Sequence, residues 1–259
     1  MVQSQQMSIK QKIKKKINFL FNKLNYFHKN HFKKKEYNNF IEGILISQIL
    51  GKEKIKIIQV GANDGIKGDP LYNFVVKFNN KIKLLAIEPQ EGPFNQLKKN
   101  YSNSRNIFFS QKAIGDGSEK EFYSFNKNYS KFHNTDNTFD RHSSFEKTHL
   151  IERLTNSNIK NNEINNYINI SKIKSYKLHE IIDDINDDFN EIDFLQIDAE
   201  GYDDEVIKNS SIEKYKFKFI NYEFKNLSEK RLNNLHEYLQ QNGYEIIRWK
   251  KSDELAYLV

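Results

Sequence analysis

The stretch Ile57–Tyr72, IIQVGANDGIKGDPLY, places three of the chain's 10 glycines within eight positions, directly after an apolar β-branched run. The run reads as a strand and the glycines as the loop that leaves it. In an open parallel sheet, ligands bind beyond the carboxyl ends of the strands, so this loop stands where a site would be. Gly61 and Gly65 let the backbone turn sharply and approach a ligand closely. The spacing is not Gly-x-Gly-x-x-Gly, and no helix pattern follows at once, which disfavours a pyrophosphate seated on a helix N-terminus. A ligand without that group fits better. Asn63 and Asp64 add polar side chains, and Asp64 could face a cation.

Outward from this loop, apolar β-type runs alternate with helix-like segments. KIKIIQV precedes a helix expected over residues 70–79, opened by Pro70 after Asp69. KLLAIEP is a second strand, and Pro93 opens a helix through FNQLKKNY. NIFFSQKAIGD is a third strand, with KEFYSFN a further one beside it. Residues 126–170, rich in Asn, Ser, Thr and His, show little periodicity and read as an inserted or lid-like region. YKLHEIIDDI is helical, IDFLQIDAEGYDDEVIK is strand, turn and helix, and FKFINYEF is a strand. Ser228 caps a helix over about residues 229–241, with Gly243 past its end. YEIIRWKK and ELAYLV close the chain as a hairpin. This alternation implies an α/β fold of parallel βαβ units with helices on both faces, and one antiparallel pairing at the end.

The 259 residues suffice for one domain over 51–259 behind an N-terminal extension over 1–50. With no cysteine, disulfides, thiolate-zinc sites and cysteine nucleophiles are excluded. The net charge of +7 is local: Met1–Lys35 holds ten lysines and no acid, leaving 31 bases against 34 acids in the body, a net of −3. The body lacks the basic excess of a nucleic-acid binder. Ile9, Ile13, Ile17, Leu20, Leu24 and Phe27 recur at helical spacing among those lysines. Residues 9–35 therefore read either as a helix on an anionic membrane surface or as one packed on the domain or a neighbouring subunit. No apolar run reaches membrane-spanning length and no signal-peptide pattern is found, so a cytoplasmic protein is expected, with peripheral contact at the inner membrane surface under the first reading.

Two further signals converge on the strand ends. Glu88, 23 residues after Gly65 and followed by Pro89, ends the second strand. A carboxylate there can accept two hydrogen bonds from a ribose diol. Asp198 follows IDFLQI, Glu200 lies two residues on, and Glu223 ends the next strand. These acids suit a hard divalent cation or a general base acting on a hydroxyl. The alternative is that Glu200, or less readily Asp198, caps the helix beginning near Tyr202. His142, His149 and His179 are alternative bases, and Ser143 and Ser144 lie where a lid would meet an acceptor.

VGANDGIKGDPLY, IEPQEGPFNQLKKNY, AIGD, SSF, IDFLQIDAEGYDDEVI and INYEF occur in an order and spacing that resembles FkbM-type methyltransferases, from Ile55 to the C-terminus. The resemblance implies a Rossmann-like class I fold, with a seven-stranded, mostly parallel sheet whose last strand is antiparallel. It implies O-methyl transfer from S-adenosylmethionine, commonly to a hydroxyl of a sugar, glycan or polyketide. Carried over, Gly61, Ala62, Asn63, Asp64 and Gly65 would wrap the methionine part. Glu88, with Pro89, would hold the ribose, Ala113 and Ile114 would border the adenine, and Asp198 would sit by the amine or the reacting centre. Asp198, Glu200 and Glu223 are the expected catalytic acids, and Asp198 with Glu223 the expected holders of a metal such as Mg²⁺. Many relatives have an acid where this chain has Gln59 and a lysine where it has Gln196. A nicotinamide-dependent oxidoreductase and a non-catalytic glycan- or membrane-binding module are the competing readings.

Overall fold

The computed structural model describes residues 37–104, 106–132 and 142–259. The helix expected over residues 9–35, with its membrane or packing role, lies outside the described residues. In chain order the strands are β1 (Ile55–Val60), β2 (Ile82–Ile87), β3 (Ile107–Ser110), β4 (Ala113–Ile114), β5 (Glu119–Phe125), β6 (Ser143–Ser144), β7 (Ile168–Tyr176), β8 (Phe194–Ile197), β9 (Phe219–Glu223), β10 (Tyr244–Arg248) and β11 (Asp253–Leu258). The main sheet runs β10-β11-β9-β8-β1-β2-β3. β3, β2, β1, β8 and β9 pair in parallel, and β11 is antiparallel to both β9 and β10. This is the seven-stranded, mostly parallel sheet with an antiparallel last strand that the resemblance implies.

The central strands are mostly apolar because both of their faces are covered. Successive residues point to opposite sides. Ile55 and Ile57 of β1, with Leu84 and Ala86 of β2, join a core with the helices Tyr37–Ile49, Tyr72–Lys77 and Glu91–Asn100. Ile58 and Val60, with Leu85 and Ile87, join the opposite core with the helices Leu178–Ile185, Asp203–Lys208 and Glu229–Gln241. Each such side chain removed from water stabilises the fold by about 1.5–3 kcal/mol. The helix Tyr37–Ile49 belongs to this packed body: Ile41 and Leu45 are buried and Phe40 stacks on Trp249 at 4.9 Å. The packed body therefore begins before residue 51, the expected start of the domain, because the apolar stripe of this helix needs the sheet to cover it.

Other boundaries also shift. The helix after β1 starts at Tyr72 and gives way to a 3₁₀ turn at Asn79–Lys81, so Pro70 precedes it. The next begins at Glu91, two residues before Pro93. The expected third strand divides into β3, in the main sheet, and β4, in a second sheet ordered β4-β7-β5-β6. Residues 126–170, expected as an irregular insert, carry the helices Lys127–Phe132 and Lys147–Asn156, β6 and the start of β7. Phe125, Leu150, Leu154, Ile159, Ile164 and Ile168 form a third apolar cluster there. Polar composition hid these elements because one sparse apolar face per element suffices for a small core. Ser228 accepts from the Arg231 N–H as the expected helix cap. Among the described residues no helix is long and apolar enough to cross a membrane.

Candidate functional site

A cavity opens at the carboxyl ends of β1, β2 and β8, roofed by β4, β6 and His142. Gly61, Ala62, Asn63, Glu88, Pro89, Ala113, Ile114, Asp198 and Glu200 all line it, from four separate motifs. Parallel register brings them together, since Gln59 lies beside Ala86 on one side and Gln196 on the other.

Glu88 is only 4 % exposed and is pinned from two directions. Its Oε2 accepts from the Asn63 N–H and its Oε1 from the Gln90 N–H, both at 2.9 Å. The carboxylate thus ties the glycine loop to the end of β2 while facing the cavity. Each oxygen can accept more than one hydrogen bond. Such rigid placement suits recognition of a diol.

The two glycines have separate tasks. At Gly61 (φ +74) a Cβ would lie 1.9 Å from the carbonyl oxygen of Asp198, so the close approach is to the neighbouring strand end. At Gly65 (φ +72) a Cβ would meet Leu97 of the helix Glu91–Asn100 and Tyr101 at its end, at 2.6 and 2.7 Å. Neither Gly65 nor Asp64 lines the cavity. Asp64 instead accepts from the Ile66 and Lys67 N–H groups and shapes the loop. These two expected ligand contacts therefore act through backbone geometry, because a tight loop folds its own polar side chains inward.

Asp69 was legible in the sequence only as a helix-start residue, yet it lines the cavity with Gln59. Its Oδ1 accepts from the Leu71 N–H at 2.7 Å, whereas Asp69 Oδ2 and Gln59 Oε1 are buried acceptors with no hydrogen-bond partner. Burial pushes the Asp69 carboxyl up to about 6. Gln196, the other departure from the family pattern, is turned into the sheet: its Oε1 accepts from Asn221 Nδ2 at 3.1 Å.

The remaining acids meet at the ends of β8 and β9. Oxygens of Asp198, Glu200 and Glu223 lie within 4.8 Å of one another. Glu200 (φ +49) lies in a tight turn before Gly201 and does not cap the helix Asp203–Lys208. Its Oε1 is 3.0 Å from His142 Nδ1 and its Oε2 is 2.8 Å from His149 Nε2. Burial alone would raise the Glu200 carboxyl, but the two imidazoles outweigh it and hold the group at about 2. Burial would lower His149, and its nearness to Glu200 outweighs that and raises it. Asp198 reaches solvent through the cavity although protein surrounds it. That enclosure, then the charges of Glu200, Asp203 and Glu223, raise it well above the usual carboxylate range. Burial, followed by repulsion from Glu200, pushes Glu223 up to about 6. His179 is elsewhere, its Nδ1 3.4 Å from Ser211 Oγ. Ser143 accepts from Gln90 Nε2 at 2.5 Å, and Ser144 donates to the Ala199 carbonyl at 3.3 Å, fastening the roof to the floor.

Residues 59–246 match the family model described as Methyltransferase FkbM domain. A 95-residue stretch is 40 % identical to segregation and condensation protein B of Ureaplasma parvum serovar 3, covering 36 % of this chain and 24 % of that protein. The chain thus spans about a quarter of that relative's length. Among solved structures, the Methanococcus jannaschii fibrillarin pre-rRNA processing protein is similar at 14 % identity and a TM-score of 0.42, over 80 % of this chain and 67 % of that one. The human methyltransferase 10 domain containing protein is similar at 14 % and 0.42, over 88 % and 83 %. Aeropyrum pernix fibrillarin, solved with natively bound S-adenosyl-L-methionine, is similar at 11 % and 0.40, over 80 % and 67 %. Likenesses this distant carry no argument about the site.

Proposed function

Since the chain belongs to the FkbM methyltransferase family, we propose that it transfers a methyl group from S-adenosylmethionine to a hydroxyl of a sugar or glycan. The observation that carries the reading is Glu88, held by the Asn63 and Gln90 N–H groups at the rim of the cavity. The residues present fit the donor. Glu88 would take the ribose hydroxyls, with Ala113, Ile114 and Pro89 as an apolar border for the base. Gln59 Oε1 and Asp69 Oδ2, two buried acceptors without partners, match the donor's ammonium. Asp69 thereby supplies the acid that many relatives carry at the position of Gln59.

When bound, S-adenosylmethionine supplies an electrophilic methyl group and departs as S-adenosylhomocysteine. The chain's own part is to hold an acceptor hydroxyl in line with that methyl and remove its proton. As the oxygen–carbon bond forms and the carbon–sulfur bond breaks, the hydroxyl proton passes to a carboxylate. Asp198, which lines the cavity, and Glu223 beside it are the acids placed for this. The body's net charge of −3 favours an uncharged acceptor over a nucleic-acid strand.

A nicotinamide cofactor fits less well. β1 ends at Val60 and the next helix starts only at Tyr72, so no helix N-terminus meets the glycine loop. Calorimetry decides between the two. Binding of S-adenosylhomocysteine without binding of NADH is expected, and the converse would overturn the proposal. Transfer of radiolabelled methyl to a polysaccharide fraction tests the acceptor class and separates an enzyme from a binding module.

A further inference from the structure

We propose that His142, His149 and Glu200 form a binding site for a divalent transition-metal ion of the Mn²⁺ to Zn²⁺ type. Three observations carry this.

Glu200 presents one oxygen to each imidazole: Oε1 lies 3.0 Å from His142 Nδ1 and Oε2 lies 2.8 Å from His149 Nε2. Two ligand atoms at right angles around an ion, each at a bond length of about 2.1 Å, stand about 3 Å apart. The observed spacings match that figure, and ligand atoms of all three residues lie within 4.8 Å of one another, close enough to share one centre.

His149 Nε2 is buried and faces Glu200 Oε2 at 2.8 Å. A lone pair on that nitrogen would repel the carboxylate oxygen unless a positive charge lay between them, a place that a proton or a metal cation can fill.

Glu200 also belongs to the trio with Asp198 and Glu223, whose oxygens lie within 4.8 Å of one another. Three carboxylates this close repel strongly in a partly enclosed site, and a divalent charge offsets that repulsion. Two imidazoles among the donors shift the preference away from Mg²⁺, which favours oxygen ligands, toward metals that accept nitrogen. The ion is held by the β6 segment and the helix Lys147–Asn156 from one side and by the β8 turn from the other. Its role, which rests on the methyl-transfer reading, is to make an acceptor hydroxyl more acidic beside the donor cavity.

The test uses the full chain, stripped of metal by a chelator and titrated with Mn²⁺ and with Zn²⁺ alone. One bound equivalent is expected, with imidazole ¹⁴N coupling in the pulsed EPR spectrum of the wild-type Mn²⁺ complex. His149→Ala and Glu200→Gln should each weaken Mn²⁺ binding at least tenfold, whereas His179→Ala should leave it unchanged. Failure to bind either ion, or Mn²⁺ bound without ¹⁴N coupling, overturns the proposal even where a variant misfolds. A parallel titration with S-adenosylhomocysteine keeps the two readings apart. If that ligand binds and no metal is taken up, the metal site alone falls. Metal uptake with no binding of that ligand removes the donor reading and leaves the metal site standing.

Discussion

Gly61 lies directly under the carbonyl of Asp198, where an added Cβ would stand 1.9 Å from the oxygen. Two motifs 137 positions apart thus meet through backbone alone, and both residues line the cavity. Gly61→Ala is expected to force β1 and β8 apart and lower the thermal midpoint sharply. Gly65→Ala should cost about 1–3 kcal/mol, the usual penalty of overpacking, with strain at its positive φ adding to it, because the new Cβ meets the side chains of Leu97 and Tyr101 and not backbone. Calorimetric melting of both variants checks the order.

Glu88 bridges two loops and faces the cavity. Glu88→Ala should weaken S-adenosylhomocysteine binding by about 1.5–3 kcal/mol, the range for hydrogen bonds to a charged group. That is roughly a ten- to hundredfold rise in Kd. A change below twofold, measured on protein with an unchanged circular dichroism spectrum, would mean the ribose is held elsewhere.

Glu223→Gln keeps the shape of the side chain and removes its capacity to take a proton. If Glu223 is a proton acceptor, the turnover number should fall by about 10²–10⁴-fold, while affinity for S-adenosylhomocysteine stays within a factor of two. Equal losses in both would assign Glu223 to donor binding instead.

Asp69 gives the site a pH signature. Its carboxyl titrates near 6 when folded, against 3.8 for an ordinary aspartate. Burial is the main cause, with the charge of Asp64 adding to it, and the Tyr101 hydroxyl nearby stays neutral. The folded state therefore holds this proton more tightly than the unfolded chain. The resulting contribution to stability is complete below about pH 4 and is lost as pH rises through 6. An ammonium ligand needs the ionised form, so donor affinity should move the opposite way and rise between pH 5 and 7. Asp69→Asn should flatten both trends and weaken binding at neutral pH by roughly tenfold or more.

Leu45 tests the N-terminal boundary. It is fully buried between the helix Tyr37–Ile49 and the sheet. Leu45→Ala should cost about 2–5 kcal/mol, read from urea unfolding, whereas a helix merely appended to the domain would tolerate the change.

Much of the molecule was legible from residue order. The β-branched runs around Ile57, Leu84 and Leu195 announced strands buried on both faces, the Ser228 cap and Gly243 bounded the last long helix, and the closing hairpin predicted the antiparallel strand. Glu88 was found because a strand end before Pro89 has a restricted set of uses. The second sheet was not legible. β5 and β7 are stabilised by pairing with each other and by a sparse apolar face, and no local pattern encodes a partner 49 positions away, as Phe122 and Ser171 are.

The sequence by itself determined which residues stand at the ends of strands, because alternation and turn chemistry are local properties carried by neighbouring positions. Only the tertiary structure decided which of those residues share a space. It turned Asp64 and Gly65 into loop architecture and made Asp69 a wall of the cavity. It also carried His142 and His149 from a polar insert onto the two oxygens of Glu200. Those meetings depend on strand register and on the path of a segment folded over the sheet, and both are settled by long-range packing.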